Sequence, residues 1–311
     1  MSTSCVEKNK PVRCLLWGTG RTFREQYYTI KYYELTGEIT VSGITSNNPL
    51  HSEIGGYTFI KKDQIDTASF DIIIIMATSK EKIKEITDEA LMLGVDECDI
   101  IPSRVMNLIG FDINKYRKIK SNPPTIFCPN CWGGITYHQL GLRFESPIIN
   151  MFFEHDDYIR FLQNPKNYIE CELKYRETRW DGNINRYYPV AECDDIFLHF
   201  NHYDSFEAAK NTWDNRKKRI KWDNLFVMFY DEDPERVKRF LDTPYEKKIC
   251  FVPYLTNQKN VVSVEYRVND EMRKKPFWQI ITGMASGVWQ YYEVLDLLLE
   301  CHVTTTVGFN K

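Results

Sequence analysis

Two cysteines stand at C-x-x-C spacing in Cys128-Pro-Asn-Cys131, followed at once by a Trp, a Gly pair and His138. Three chemistries use that spacing. Structural zinc takes about four nitrogen or sulfur ligands; His138 is the one nearby addition and no second C-x-x-C or H-x-H pair stands in the sequence, so no metal is expected. A thioredoxin-type redox pair sits after a strand at a helix start, which this stretch fits loosely. A thiol nucleophile needs one cysteine only, and Cys131 is expected near a helix N-terminus, where the dipole lowers a thiol pKa. Against all three stands the inert alternative, two small buried hydrophobes.

A thiol nucleophile needs a base that a third group holds in place. The candidates are in DDIFLHFNHYDSF, where His199 and His202 flank a strand end among Asp194, Asp195 and Asp204. In a strand, side chains alternate between faces, so Leu198, Phe200 and His202 share one face while His199 and Asn201 share the other. One histidine at most then faces a given site. His202 is preferred, because it lies where strand gives way to helix, and sites in α/β folds collect at such ends. Two hydrogen-bonded histidines within a sheet remain the alternative. The next segment, Asp204 to about Lys221, reads as a helix opening on a capping box of Asp204 and Glu207, with Phe206, Ala209, Trp213 and Ile220 on one stripe. Arg216 borders that stripe. An arginine beside a buried face must find a carboxylate of the protein or an anionic ligand such as phosphate or a uronate.

Positioning these groups requires a layered scaffold, and the pattern reads as α/β throughout. Val12 to Trp17 is a short buried strand that runs into Gly18-Thr-Gly20 and then a helix with Phe23, Tyr27, Ile30 and Tyr33 at helical spacing. Further strands are expected at Ile39–Ile44, Tyr57–Ile60, Phe70–Met76 and Cys98–Ile101, with a helix capped by Ser79 and closed by Gly94. Strands alternating with helices argue for a parallel sheet of Rossmann-like type. The Gly18–Gly20 loop suits close approach to a pyrophosphate at a helix N-terminus. Phe23 replaces the third fingerprint glycine, and Thr45, Ser46 and Asn47 stand where a ribose-binding acid is expected. A nucleotide or nucleotide-sugar at Gly18, Gly20 and Asn47 therefore competes with a loop that only turns the chain, and NAD is disfavoured. The Asn47-Asn48-Pro49 turn is a further candidate for a polar ligand.

Ser121-Asn-Pro-Pro124 breaks this pattern and reads as a boundary, which gives domains at 1–121 and 122–311. In the second, less regular α/β domain, strands are expected at Thr125–Phe127, Pro147–Phe153, Tyr168–Tyr175, Asp195–Phe200, Leu225–Tyr230 and Lys248–Pro253. Helices are expected after Asp156 as a cap, over Pro234–Leu241, and as one or two long helices within Pro276–Cys301. The polar RETRWDGNINRYY reads as a loop or lid.

The chain of 311 residues carries a net charge of −3, so no global basic field invites nucleic acid. No apolar run approaches the roughly 18 residues that span a bilayer. The opening MSTSCVEKNKPVR lacks the apolar core of a secretory signal; with it, the nine scattered cysteines read as reduced thiols of a cytoplasmic protein. Aromatic residues make up 14% of the chain, which suits stacking on sugars or bases as well as packing. The oligomeric state is not set by the sequence.

The first domain resembles Rossmann-like domains found beside sugar-modifying enzymes in bacterial surface-polysaccharide clusters, through LLWGTG, GITSNNP and FDIIIIMATS. An Asp commonly stands there at the place of Thr45, so nucleotide binding does not carry over directly. Residues 124 to 255, through NCWGGITYHQLGLRFESPIINMFF, LHFNHYDSFEAAKNTWDNRKKRIKWDNLFVMF and KKICFVPY, resemble the bacterial family called domain of unknown function 1919, whose members are often labelled exopolysaccharide biosynthesis proteins. The motif positions are Asn130, Cys131, Gly133, Ser146, Pro147, His199, His202, Tyr203, Trp213, Arg216 and Arg219. The resemblance implies a role in making or modifying surface glycans, on a small-molecule or glycan substrate. The expectation is a transferase or hydrolase with Cys131, His202 and His199 as catalytic candidates and Asn130, Gly133, Trp213, Arg216 and Arg219 as ligand contacts. A non-catalytic glycan or nucleotide binder and a papain-like thiol hydrolase, echoed in C-x-x-C-W, are the alternatives.

Overall fold

The structure is a computed structural model that describes residues 10–47, 52–264, 274–287, 292–301 and 303. Asn48 and Pro49 of the expected polar turn lie outside them. The chain divides into two compact units, Met1–Ser121 and Asn122–Lys311.

The first unit is built on a parallel sheet of four strands, β1 (Val12–Trp17), β2 (Ile39–Thr45), β5 (Ile72–Ile75) and β6 (Ile100–Pro102), in the order β2-β1-β5-β6. Ile72 to Ile75 are fully buried, as strands of a parallel sheet covered on both faces must be. α1 (Arg21–Thr36) and α2 (Lys80–Met92) connect the strands; Ser79 Oγ caps α2 by accepting from Lys82 N at 3.2 Å. The strand expected at Tyr57–Ile60 is instead half of a small antiparallel ribbon, β3 (Glu53–Ile54) with β4 (Tyr57–Thr58), turned by Gly55 and Gly56 at φ +62° and +83°. α3 (Ile113–Ser121) closes the unit.

The second unit contains a parallel sheet, ordered β13-β12-β11-β7, of β7 (Thr125–Phe127), β11 (Leu225–Tyr230), β12 (Lys248–Val252) and β13 (Val261–Ser263). Beside it stands an antiparallel sheet of β8 (Lys174–Asp181), β9 (Arg186–Cys193) and β10 (Ile196–His199), ordered β10-β9-β8. One core joins both sheets: Phe127, Val227 and Phe229 from the first, Ala191, Ile196 and Leu198 from the second. α5 (His155–Gln163) fills it with Tyr158, Phe161 and Leu162, and α7 (Phe206–Lys217) adds Ala209 and Trp213.

Several elements differ from expectation. RETRWDGNINRYY is the β8–β9 hairpin, not a loop: β8 is an edge strand exposed along most of its length, so it needs no apolar face. Pro147–Phe153 forms no strand. Pro147 lacks an N–H, Ile149 N turns back to Pro147 O at 2.9 Å, and Asn150 takes φ +62°. Tyr168–Tyr175 is divided between α6 (Pro165–Glu170), opened by proline, and the start of β8. α7 is capped by Ser205, whose Oγ accepts from Ala208 N at 3.2 Å, while Asp204 pairs with Arg186. α5 starts at His155 with Glu154 as its cap residue, before Asp156. The C-terminal region holds two short helices, α9 (Phe277–Ala285) and α10 (Val294–Glu300), after α8 (Pro234–Leu241). Among the described residues, no helix is long and apolar enough to cross a membrane.

Candidate active site

β7 ends at Phe127, and the chain runs through Cys128-Pro129-Asn130-Cys131 into α4 (Trp132–Gln139). Cys128 is fully buried and latches this turn: its Sγ donates to Asn130 O at 3.0 Å and accepts from Gly133 N at 3.2 Å. Asn130 Oδ1 takes the N–H of Trp132 at 3.0 Å. Cys131, the cap residue of α4, is partly exposed and places its Sγ 3.3 Å from His202 Nε2.

A three-way backbone seam brings these two side chains together. Phe152 and His199 exchange N–H···O bonds at 2.9 and 3.0 Å, and Phe153 N donates to Pro129 O at 2.9 Å. The residues just beyond β10 are thereby held against the loop just beyond β7, so His202 meets Cys131 across 71 positions of sequence.

Burial sets the charge state of the pair. It pushes the Cys131 thiol up to about 11 and, with Arg186 nearby, lowers the His202 imidazole below its ordinary value, against Asp181. Near neutral pH the site holds a thiol and a neutral imidazole. The thiol thus stands above its ordinary value, opposite to the lowering expected at a helix N-terminus, and burial is the cause.

The other expected contacts divide. Arg216 and Arg219 lie partly buried: Arg216 Nη1 donates to Tyr203 Oη at 3.0 Å and Ile149 O at 3.4 Å, and Arg219 Nη1 to Phe144 O at 3.2 Å. Tyr203 directly follows His202, which links Arg216 to the thiol–imidazole pair. His199 is not at the pair. It is 1% exposed, stacks on Phe152 with centroids 4.4 Å apart and meets Tyr188 Oη at 3.3 Å; burial lowers it to about 4. Gly133 and Trp213 are packing residues rather than ligand contacts. A Cβ at Gly133 would come 2.9 Å from Cys128 Sγ and 3.0 Å from Ile126 Cγ2, so the bare backbone lets α4 press onto β7. Trp213 is buried against Phe200 in the core.

In the first unit, Gly18 has φ +123°, its N–H donates to Thr45 O at 2.8 Å, and a Cβ would stand 2.8 Å from Met76 O. Gly20 caps α1 with open space around it, and Asn47 Nδ2 donates to Glu85 Oε1 at 3.1 Å.

The model of the family described as domain of unknown function (DUF1919) matches residues 103–297. The chain belongs to this family. The DUF1919 region thus contains the thiol–imidazole pair and both arginines. Residues 10–101 match a second model, described as C2185-like, N-terminal. A protein of Haemophilus influenzae named only as an uncharacterized protein is 33% identical over 161 residues, a match covering 50% of this chain and 75% of the relative.

Three further groups at the same sheet edge escaped the sequence reading. Asp231 directly follows β11, the strand beside β7, and its side chain is 2% exposed. It accepts from His155 Nδ1 at 2.7 Å, from Arg236 Nε and Nη2 at 2.6 and 3.0 Å, and from Asp233 N at 2.9 Å. This fixes one proton on His155 Nδ1, so in the neutral ring Nε2 is the acceptor. Tyr230 packs beside His155, with ring centroids 4.9 Å apart; burial pushes its hydroxyl up and a hydrogen bond with Asn130 opposes this. The usable signal was the carboxyl end of a predicted strand, where Asp231 stands; His155 carried none.

Proposed function

We propose that this protein is a group-transfer enzyme acting on a sugar or nucleotide-sugar in surface-glycan assembly, with Cys131 as nucleophile and His202 as its base. The 3.3 Å contact between Cys131 Sγ and His202 Nε2 carries this reading, since a base must lie within hydrogen-bond reach of the proton it takes. A neutral pair works by general-base catalysis. Sγ attacks the electrophilic carbon of the donor while its proton passes to Nε2. The bond to the leaving group then breaks, and His202 returns the proton to that group. In the second half, a hydroxyl or water gives its proton to His202 as its oxygen displaces the sulfur, and His202 passes that proton to Sγ, which restores the neutral pair. Asn130 is buried beside the Tyr230 hydroxyl and adjoins Cys131 in the chain, so its Nδ2 is the side-chain amide placed to donate to negative charge developing at the thiol.

The sugar substrate is supported by aromatic surface on the β8–β9 hairpin. Trp180 and Tyr187 are 52% and 67% exposed and pair across the strands with centroids 4.9 Å apart. A pocket of about 250 Å3 beside them is lined by Tyr175, Tyr187, Tyr188 and Phe206, with Asp204 and Glu207 as polar partners. Aromatic faces with adjacent carboxylates suit stacking on a sugar ring and hydrogen bonding to its hydroxyls.

p-Nitrophenyl acetate, a neutral activated ester, tests the thiol chemistry without the natural donor. A burst of p-nitrophenol with an acetyl group mapped to Cys131 is expected. Cys131→Ala should abolish it, and His202→Ala should slow it about 100-fold. A burst unchanged in either variant would overturn the mechanism, and absence of a burst would favour a non-catalytic glycan-binding protein.

A further inference from the structure

Nine of the described arginines hold a carboxylate oxygen within 4.0 Å. Arg104 has interactions of its own. The four that make no ion pair among the described residues are Arg24, Arg143, Arg216 and Arg219, and three of these four meet around Phe144. Arg216 lies over the Phe144 ring, its guanidinium carbon 5.0 Å from the centroid. Arg219 donates to the Phe144 carbonyl. Arg143 is exposed and precedes Phe144 in the chain. Burial and the charges of Arg143 and Arg216 depress the Arg219 guanidinium, and nearby Glu145 opposes this without an ion pair.

Three like charges with Glu145 nearby but no ion pair among the described residues repel one another, and each partly buried guanidinium leaves N–H donors unused. Arg216 commits Nη1 alone and Arg219 commits Nη1 alone. Such an arrangement is stable against a multivalent oxyanion that accepts from several forks at once. A single carboxylate offers two oxygens and one negative charge, too little for three forks. A phosphoryl or diphosphoryl group offers more oxygens and at least about −1.5 to −2 of charge at pH 7.

We propose that Arg143, Arg216 and Arg219 form a binding site for a phosphoryl group of the substrate, with a diphosphate preferred over a uronate. The site rests on the reading above only for its position. Tyr203, hydrogen-bonded to Arg216 and next to His202, would set the anion beside the reacting thiol, as a diphosphate-activated sugar donor requires. It extends the expectation at Arg216 by naming the anion and adding Arg143.

Isothermal titration calorimetry of the full chain with inorganic pyrophosphate, and with glucuronate at the same ionic strength, tests this. Pyrophosphate should bind about tenfold more tightly than glucuronate. Arg143→Ala and Arg219→Ala should each weaken pyrophosphate binding about tenfold, and Arg24→Ala, the fourth unpaired arginine, should leave it unchanged. Arg143 is exposed, so its removal does not threaten the fold. The site is overturned if pyrophosphate does not bind, if glucuronate binds equally well, or if Arg143→Ala and Arg219→Ala bind like the parent. Binding is read without turnover, so failure of the thiol chemistry leaves this result standing, and failure here leaves the Cys131 burst standing.

Discussion

His199 and His202 are three positions apart, yet burial gives them different tasks. His199 is sealed in the sheet and stays neutral, with burial first and Arg179 second lowering it to about 4. Its folded value is below the unfolded one, so below pH 6.5 the unfolded chain gains a proton that the folded chain refuses. Stability from this group is full above pH 6.5 and falls as pH drops towards 4. Between pH 7 and pH 5 the loss is on the order of 2 kcal/mol at 1.36 kcal/mol per unit. Urea unfolding at the two pH values should show His199→Phe, which keeps an aromatic ring on Phe152, losing less stability than the parent over that interval; equal losses would contradict the assignment. Asp231 is shifted in the same direction by a different cause, so its stability too is lost as pH falls, in the acid range below the ordinary carboxylate value. Burial alone would raise it, but the hydrogen bonds from His155, Arg236 and Asp233 N hold it well below the usual carboxylate range. Asp231→Asn removes the charge that His155 and Arg236 share, while Arg236 keeps Asp233 at 3.2 Å, and should cost roughly 1–3 kcal/mol in urea unfolding.

Among the elements, the loops after β1 and β7 show why glycine spacing misleads. Gly18 is required by geometry: φ +123° and a Met76 carbonyl 2.8 Å from any Cβ. Gly18→Ala should destabilise by at least about 1–3 kcal/mol, whereas Gly20→Ala, with open space around it, should stay within about 1 kcal/mol. Thermal unfolding of both variants distinguishes a turn held by packing at Gly18 from one free to change at both positions. The buried strands were legible because Ile72–Ile75 and Leu225–Tyr230 are apolar throughout. The β8–β9 hairpin was not, since an edge strand carries Arg176, Glu177 and Arg179 without penalty; the four-residue turn Gly182-Asn-Ile-Asn185, with Asn185 at φ +52°, was its local signal. Nor could sequence show that Pro147–Phe153 works as a seam, because its role is set by Phe152 pairing with a strand 47 positions away.

At the scale of the whole molecule, every residue of the candidate site lies in the second unit, Asn122–Lys311. Residues 122–311 expressed alone should therefore give the same p-nitrophenyl acetate burst as the full chain, with a cooperative thermal transition as the check on folding. The pairing of Cys131 with a histidine was legible from residue types and strand ends. Its protonation was not, because desolvation depends on everything packed around the site. That protonation is what the pH dependence of the burst rate reads most directly. With His202 as base, the rate should be flat from pH 7 to pH 9 and fall only in more acid solution, below the ordinary imidazole range, as the buried ring takes a proton. His202→Gln should lose the plateau and rise about tenfold per pH unit towards the thiol value of about 11. A parent rate that itself climbs tenfold per unit between pH 7 and pH 9 would show Cys131 ionising alone and would contradict the thiol–imidazole mechanism.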